Sequence, residues 1–144
     1  MGESTISDIL CIEGAHKHYA VEFQYVEEIC GFAGVYPVPC LPESFSGMFS
    51  YKGNIIPVIR LEAKEPDEKD KKMIMVLKYE YYMAGAVIPP QTFITSMEQV
   101  KMVKSAPGMS ENGIWKEKEI CFSGGKLFSL LDVEETFKNL VLYP

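Results

Sequence analysis

The chain has 144 residues, 47% of them hydrophobic, and a formal charge of -6, which is apolar material enough for one buried core and too much for a disordered chain. An acidic balance with no Lys/Arg cluster free of acidic neighbours argues against electrostatically driven nucleic-acid binding and points to protein partners. No run approaches the roughly 20 uninterrupted apolar residues of a membrane span, and Met1-Gly2-Glu3-Ser4 lacks the regions of a secretory signal; the expectation is a cytoplasmic protein with no direct membrane insertion.

Short apolar runs rich in Val, Ile, Leu, Met and aromatics recur at 9–12, 19–23, 47–51, 55–61, 73–79, 81–88, 95–103, 119–122 and 127–131. Most are too short for helices and read as strands, and nine short strands suit small closed barrels. Gly14 marks a first hairpin. Next, Tyr25-Val26-Glu27-Glu28-Ile29 reads as a short amphipathic helix, because Val26 and Ile29, three apart, would share one face. Pro37, Pro39 and Pro42 then fix φ and remove backbone donors, giving a stiff extended linker.

Lys52-Gly53-Asn54 reads as the turn of a second hairpin, followed by Pro57 inside a strand pattern, where only an edge or a bulge tolerates the missing donor. From 62 to 72, nine of eleven residues are charged and Pro66 interrupts them, the signature of a solvated loop. A third hairpin turns around Glu80, without glycine and with its turn type left open. The last turn, Ser123-Gly124-Gly125-Lys126, has the glycines of a primed hairpin. Three strand-turn-strand units, led by Ile9-Leu10-Cys11-Ile12, Met75-Val76-Leu77 and Ile120-Cys121-Phe122, form a loose internal echo. The chain then enters a helix over 132–140, capped by Asp132, with Glu135 three residues on and Val133, Phe137 and Leu140 on one face.

Candidate chemistry is sparse. Cys11, Cys30, Cys40 and Cys121 form no C-x-x-C pair, which suits reduced thiols in a reducing compartment better than a disulfide framework. His16 and His18 would share one face of a strand, but two ligands without a third make no metal site, and the pair reads as exposed. No spacing supports a Cys-His nucleophile. Pro39-Cys40-Leu41-Pro42 fits a PxxP pattern but reads as linker, and the eight methionines and Trp115 read mainly as core.

The stretch from 25 to 61 is the most informative. After Tyr25-Val26-Glu27-Glu28-Ile29 come Val35-Tyr36-Pro37-Val38-Pro39 and Pro42, then Phe45-Ser46-Gly47-Met48-Phe49-Ser50-Tyr51-Lys52-Gly53-Asn54-Ile55-Ile56-Pro57-Val58-Ile59-Arg60-Leu61. Downstream lie Asn112-Gly113-Ile114-Trp115 and Gly125-Lys126-Leu127-Phe128-Ser129-Leu130-Leu131-Asp132-Val133. In order and spacing, over about 130 residues, these segments resemble the CheW-like family: a Y-V-x-E-I element, a P-V-P linker, a segment like R-G-x-x-N-L-R-G, a strand like V-I-P-V-I-D-L and a G-K-L-I-x-L-L-D-x junction.

The resemblance implies a mainly β single domain over residues 5–141. Two small five-stranded SH3-like β-barrels would share a hydrophobic core, with the helix near 25–29 and the C-terminal helix near 132–140 completing the packing. It implies a non-catalytic adaptor of bacterial chemotaxis that couples the cytoplasmic tip of a chemoreceptor to the regulatory domain of a chemotaxis histidine kinase, with no catalytic residue, metal or cofactor. By position, Val26, Glu28, Gly47 and Lys52 fall where the family's receptor- and kinase-contacting elements lie. Several residues depart from the family pattern. Lys52 replaces the usual Arg, keeping the charge but losing the planar fork; Ser46 replaces a basic residue, Ser50 and Tyr51 the Asn-Leu pair, and Arg60 an Asp. The competing readings are a divergent module of another two-component pathway, a small β-barrel enzyme, recognisable by a pocket with a titratable pair, and a small-barrel nucleic-acid binder, recognisable by salt-dependent binding.

Overall fold

The computed structural model describes residues 8–32, 34–62, 72–109 and 114–141, with the backbone alone for 104–109 and 141. Among these the elements are β1 (Asp8–Glu13), β2 (His18–Glu22), β3 (Val26–Gly31), β4 (Val35–Tyr36), β5 (Phe45–Tyr51), β6 (Asn54–Arg60), β7 (Met73–Tyr79), β8 (Tyr82–Ile88), β9 (Thr92–Ser96), β10 (Lys101–Met109), β11 (Lys116–Ser123), β12 (Lys126–Leu131) and α1 (Val133–Val141). They form two curled six-stranded sheets, ordered β10-β11-β12-β2-β1-β9 and β3-β7-β8-β6-β5-β4. All neighbours are antiparallel except β12 with β2 and β6 with β8.

Strict alternation along the strands builds the interior. On β1, Leu10 and Ile12 face one way and Ile9 and Cys11 the other, and all four are buried, as in a strand covered on both faces. One cluster draws on both sheets, joining Leu10, Tyr19 and Val21 to Ile59, Met75, Leu77 and Ala86, with Trp115, Val133 and Phe137 closing it. The opposite face of each sheet curls around its own interior. In the second sheet that interior is Phe49, Tyr51, Ile56, Val58, Ile74 and Val76; in the first it is Ile9, Cys11, Ala20, Cys121, Phe128 and Leu130. The indole N–H of Trp115, fully buried, donates to the Arg60 carbonyl at 3.0 Å and so ties the chain ahead of β11 to the end of β6.

Each sheet has six strands where five were expected. The run 95–103 is two strands, because the Ser96 hydroxyl accepts the Glu98 N–H at 3.2 Å and starts a single 3₁₀ turn at Met97–Gln99. The helix expected over 25–29 is instead strand β3, preceded by a 3₁₀ turn at Phe23–Tyr25. The cause is a bulge: Val26 lies opposite Leu77 and Glu28 opposite Val76, so one residue is extra. That residue puts Val26 and Ile29 on the same face, against the shared core, and reproduces in a strand the three-residue spacing of a helix.

Pro57 sits neither on an edge strand nor at a bulge. It pairs with Met48 on β5, and the ladder to β8 begins one residue later at Val58, so the missing donor falls where that ladder ends. The C-terminal helix forms as expected: the Glu135 N–H donates to Asp132 Oδ1 at 3.0 Å. The Asp132 N–H goes to the Lys116 carbonyl at 2.8 Å, so only half of the capping box is used. Of the charged segment 62–72, residues 63–71 lie outside the described residues. Glu62 is no solvated loop residue, being 8% exposed and bonded to the β1–β2 turn. Lys72 lies over the Phe32 ring, 4.3 Å from its centroid.

Candidate functional site

The β5–β6 connection is a two-residue turn with Lys52 at φ 47 and Gly53 at φ 83, the primed geometry that matches the twist of a hairpin. It juts from one end of the second sheet. Because β6 and β8 are parallel, with Val58 opposite Gly85, continuing that register sets Ile55 level with Tyr82. The β7–β8 turn, with Glu80 at φ 55, therefore lies at the same end. β3 also starts here, since Val26 faces Leu77 near the end of β7.

Past the bulge, Glu28 and Cys30 stand opposite Val76 and Ile74, both residues of the sheet's own interior. Glu28 thus sits at the mouth of that interior. There it accepts a hydrogen bond from the Tyr51 hydroxyl, 2.7 Å from Oε1, while Lys52 Nζ lies 3.7 Å from the same oxygen. The Tyr51 ring is buried beside Phe49, with centroids 6.4 Å apart, and the Lys52 ammonium stands 5.4 Å from the Tyr51 centroid. The hydrogen bond to the Glu28 carboxylate, followed by burial and the charges nearby, pushes the Tyr51 phenol up to about 12. At the same end of the sheet Ile55, Tyr81 and Tyr82 are exposed, Tyr81 almost completely at 95%; alternation sets Ile55 and Tyr82 on the face away from Tyr51 and Glu28.

Of the four residues singled out in the sequence, Glu28 and Lys52 come within 3.7 Å of each other. Val26 is two residues from Glu28 but faces the shared core. Gly47 is apart from them, five residues back along β5 from Lys52, or about 17 Å of extended chain. It is buried, and a Cβ there would meet the Tyr36 carbonyl oxygen at 2.3 Å; its smallness lets β4 pair with β5. The sequence reading missed Ile55, Tyr81 and Tyr82, whose signal was their place beside hairpin turns, and noted Tyr51 only as a departure.

The first sheet has an open end of its own. Phe122 stands opposite Leu127 beside the β11–β12 turn, and both are exposed, as are Phe93 and Met102. Phe128 packs against Phe93 at 5.7 Å and against His18 at 5.3 Å between centroids, with Glu13 and Lys126 paired at 2.8 Å. His18 is therefore half-buried and not exposed as expected, and its Nδ1 has no partner among the described residues. His16 is exposed. Among the described residues no three His, Cys, Asp or Glu side chains converge as metal ligands. All four cysteines are free; Cys11 and Cys121 are buried, and burial pushes Cys11 up to about 12. No helix among the described residues is long and apolar enough to cross a membrane.

Two curled sheets over a common apolar cluster, a closing C-terminal helix and a charged barrel mouth define a β-rich module of the two-barrel kind. A family model for the CheW-like domain matches residues 8–141, and the chain belongs to that family. Among solved structures it is similar to the scaffolding protein TtCheW from Thermoanaerobacter tengcongensis. The match has a TM-score of 0.72 at 18% identity and covers 94% of this chain and 90% of that one. At that identity the likeness speaks for the fold. No curated protein matches the chain in sequence.

Proposed function

We propose that this CheW-like chain is a non-catalytic cytoplasmic adaptor that couples the cytoplasmic tip of a chemoreceptor to the regulatory domain of a chemotaxis histidine kinase. Val26, Glu28, Gly47 and Lys52 belong to its contact elements, and residues 5–141 work as one unit through the cluster drawn from both sheets. The observation that carries this reading is the barrel mouth of the second sheet. Glu28 and Lys52 stand there 3.7 Å apart, at the end of the sheet where Ile55 and Tyr82 are also exposed. A charged pair next to apolar surface is how protein interfaces combine orientation with desolvation. The open end of the first sheet, with Phe122 and Leu127, supplies a second apolar surface, as an adaptor with two partners requires.

The test is titration calorimetry of the full chain against the receptor's cytoplasmic tip fragment and, separately, against the kinase regulatory domain. Both should bind with dissociation constants of about tens of micromolar or tighter, and Lys52→Glu should weaken one partner and leave the other. Failure of the wild-type chain to bind either fragment sinks the adaptor reading.

A further inference from the structure

The three groups at the barrel mouth are unequal. The Tyr51 hydroxyl holds Glu28 Oε1 at 2.7 Å, a strong hydrogen bond to a carboxylate, whereas Lys52 stands 3.7 Å from that oxygen, beyond hydrogen-bond reach. Tyr51 is 5% exposed, anchored in the barrel interior against Phe49. Its ring cannot follow a moving partner, and its hydroxyl has to find an acceptor at the mouth. Lys52 is on the turn, with 69% of its side chain exposed. A hydrophobic residue at 51, as the family pattern has it, would leave Glu28 free to swing onto the ammonium.

We infer that Tyr51 is a positioning residue of this surface: its phenol ties Glu28 across the mouth from β5 to β3, keeps it from closing on Lys52, and leaves the ammonium to a carboxylate on the partner protein. This deepens the adaptor reading and rests on it for the partner, while the tie itself is a property of the free chain. The high phenol pKa produced by Glu28 accords with a hydroxyl that stays protonated and keeps donating. The partner chemistry follows from Lys52, whose ammonium, on a side chain 69% exposed, is met by an acidic side chain of the partner.

Tyr51→Phe keeps the ring and its packing and removes only the hydroxyl. In the free variant, the carboxyl carbon resonance of Glu28 and the ammonium resonance of Lys52 should both move, as the two close into a direct pair. Affinity for the receptor tip fragment should fall about five- to tenfold and depend less on salt. In Tyr51→Phe/Glu28→Gln, where no carboxylate remains to capture Lys52, affinity should rise above that of Tyr51→Phe by about threefold or more. An unmoved Glu28 resonance in Tyr51→Phe, or a double variant that binds no better than the single one, overturns the positioning role. A wild-type chain that fails to bind the fragment overturns the assigned partner, and the resonance shifts then decide the tie alone.

Discussion

Glu62 reaches from the end of one sheet to His16 in a turn of the other. The His16 N–H donates to Oε2 and the neighbouring Ala15 N–H to Oε1, each at 3.1 Å, although the residues lie 46 and 47 apart in sequence. One buried carboxylate satisfies two backbone donors and fixes the β1–β2 turn against the segment leaving β6. Gly14 is part of the same arrangement, since a Cβ there would meet the Lys17 carbonyl oxygen at 2.4 Å and Glu62 Oε1 at 2.8 Å.

Removing that carboxylate leaves both donors without partners. Glu62→Ala should destabilise the chain by about 2–3 kcal/mol, and Glu62→Gln, which keeps one accepting oxygen, by about half as much. Urea unfolding of the three proteins measures this. A Glu62→Ala midpoint indistinguishable from wild type would show that the turn holds without the carboxylate.

Gly47 makes a second prediction, steric in origin. At φ 153, with the Tyr36 carbonyl oxygen 2.3 Å and its carbon 2.9 Å from the position of a Cβ, the close neighbours are backbone atoms that cannot rotate away. Gly47→Ala should cost about 2–4 kcal/mol, accompanied by loss of β4 pairing seen as faster amide exchange at Val35 and Tyr36. If unfolding shifts but those amides keep their protection, the strain is relieved elsewhere and the account of β4 is wrong.

The Tyr51–Glu28 bond makes stability depend on alkaline pH. Tyr51 is raised from an ordinary value of 10.0 to about 12, foremost by its hydrogen bond to the Glu28 carboxylate. The folded chain therefore holds this proton at a pH where the unfolded chain has released it. The resulting stabilisation is complete below about pH 10 and is lost as pH rises toward about 12. Denaturation midpoints measured across this range should fall less steeply for Tyr51→Phe, which has no proton to lose at that position. Parallel curves for the two proteins would refute the assignment.

Much of the β architecture is legible in the chain because it is written locally. The run 73–79 coincides with β7, and Ser123-Gly124-Gly125-Lys126 turns as its glycines require, at φ 58 and 79. Asp132 marks the start of α1. The errors arose where a local pattern had two causes. Val26 and Ile29 recur at a helical interval because a bulge shifts the phase of β3, and only the partner strand, some fifty residues away, reveals the extra residue. Likewise β4 has two residues, too few for any periodicity, and exists because Gly47 lets it approach. The candidate site was half legible. Glu28 and Lys52 stand out in the sequence, but the tie through Tyr51 spans 23 residues and depends on how the sheet curls, which alternation along a strand does not encode.

The cysteines test the two barrel interiors directly. Cys11 and Cys121 lie in the interior of the first sheet, and both thiols are raised, Cys11 to about 12, mainly by burial that disfavours the thiolate. Cys30, half-buried at the second interior, is also raised by burial, whereas Cys40 is exposed in the proline linker. Attack on an alkylating reagent requires a thiolate that the reagent can reach. In the native chain at neutral pH, mass spectrometry should find Cys40 modified first and Cys30 more slowly. Cys11 and Cys121 should react only at the rate of unfolding, so that adding urea brings them in together. Rapid native labelling of Cys11 without unfolding would mean that the first barrel is open to solvent where the packing of Ile9, Phe128 and Leu130 closes it.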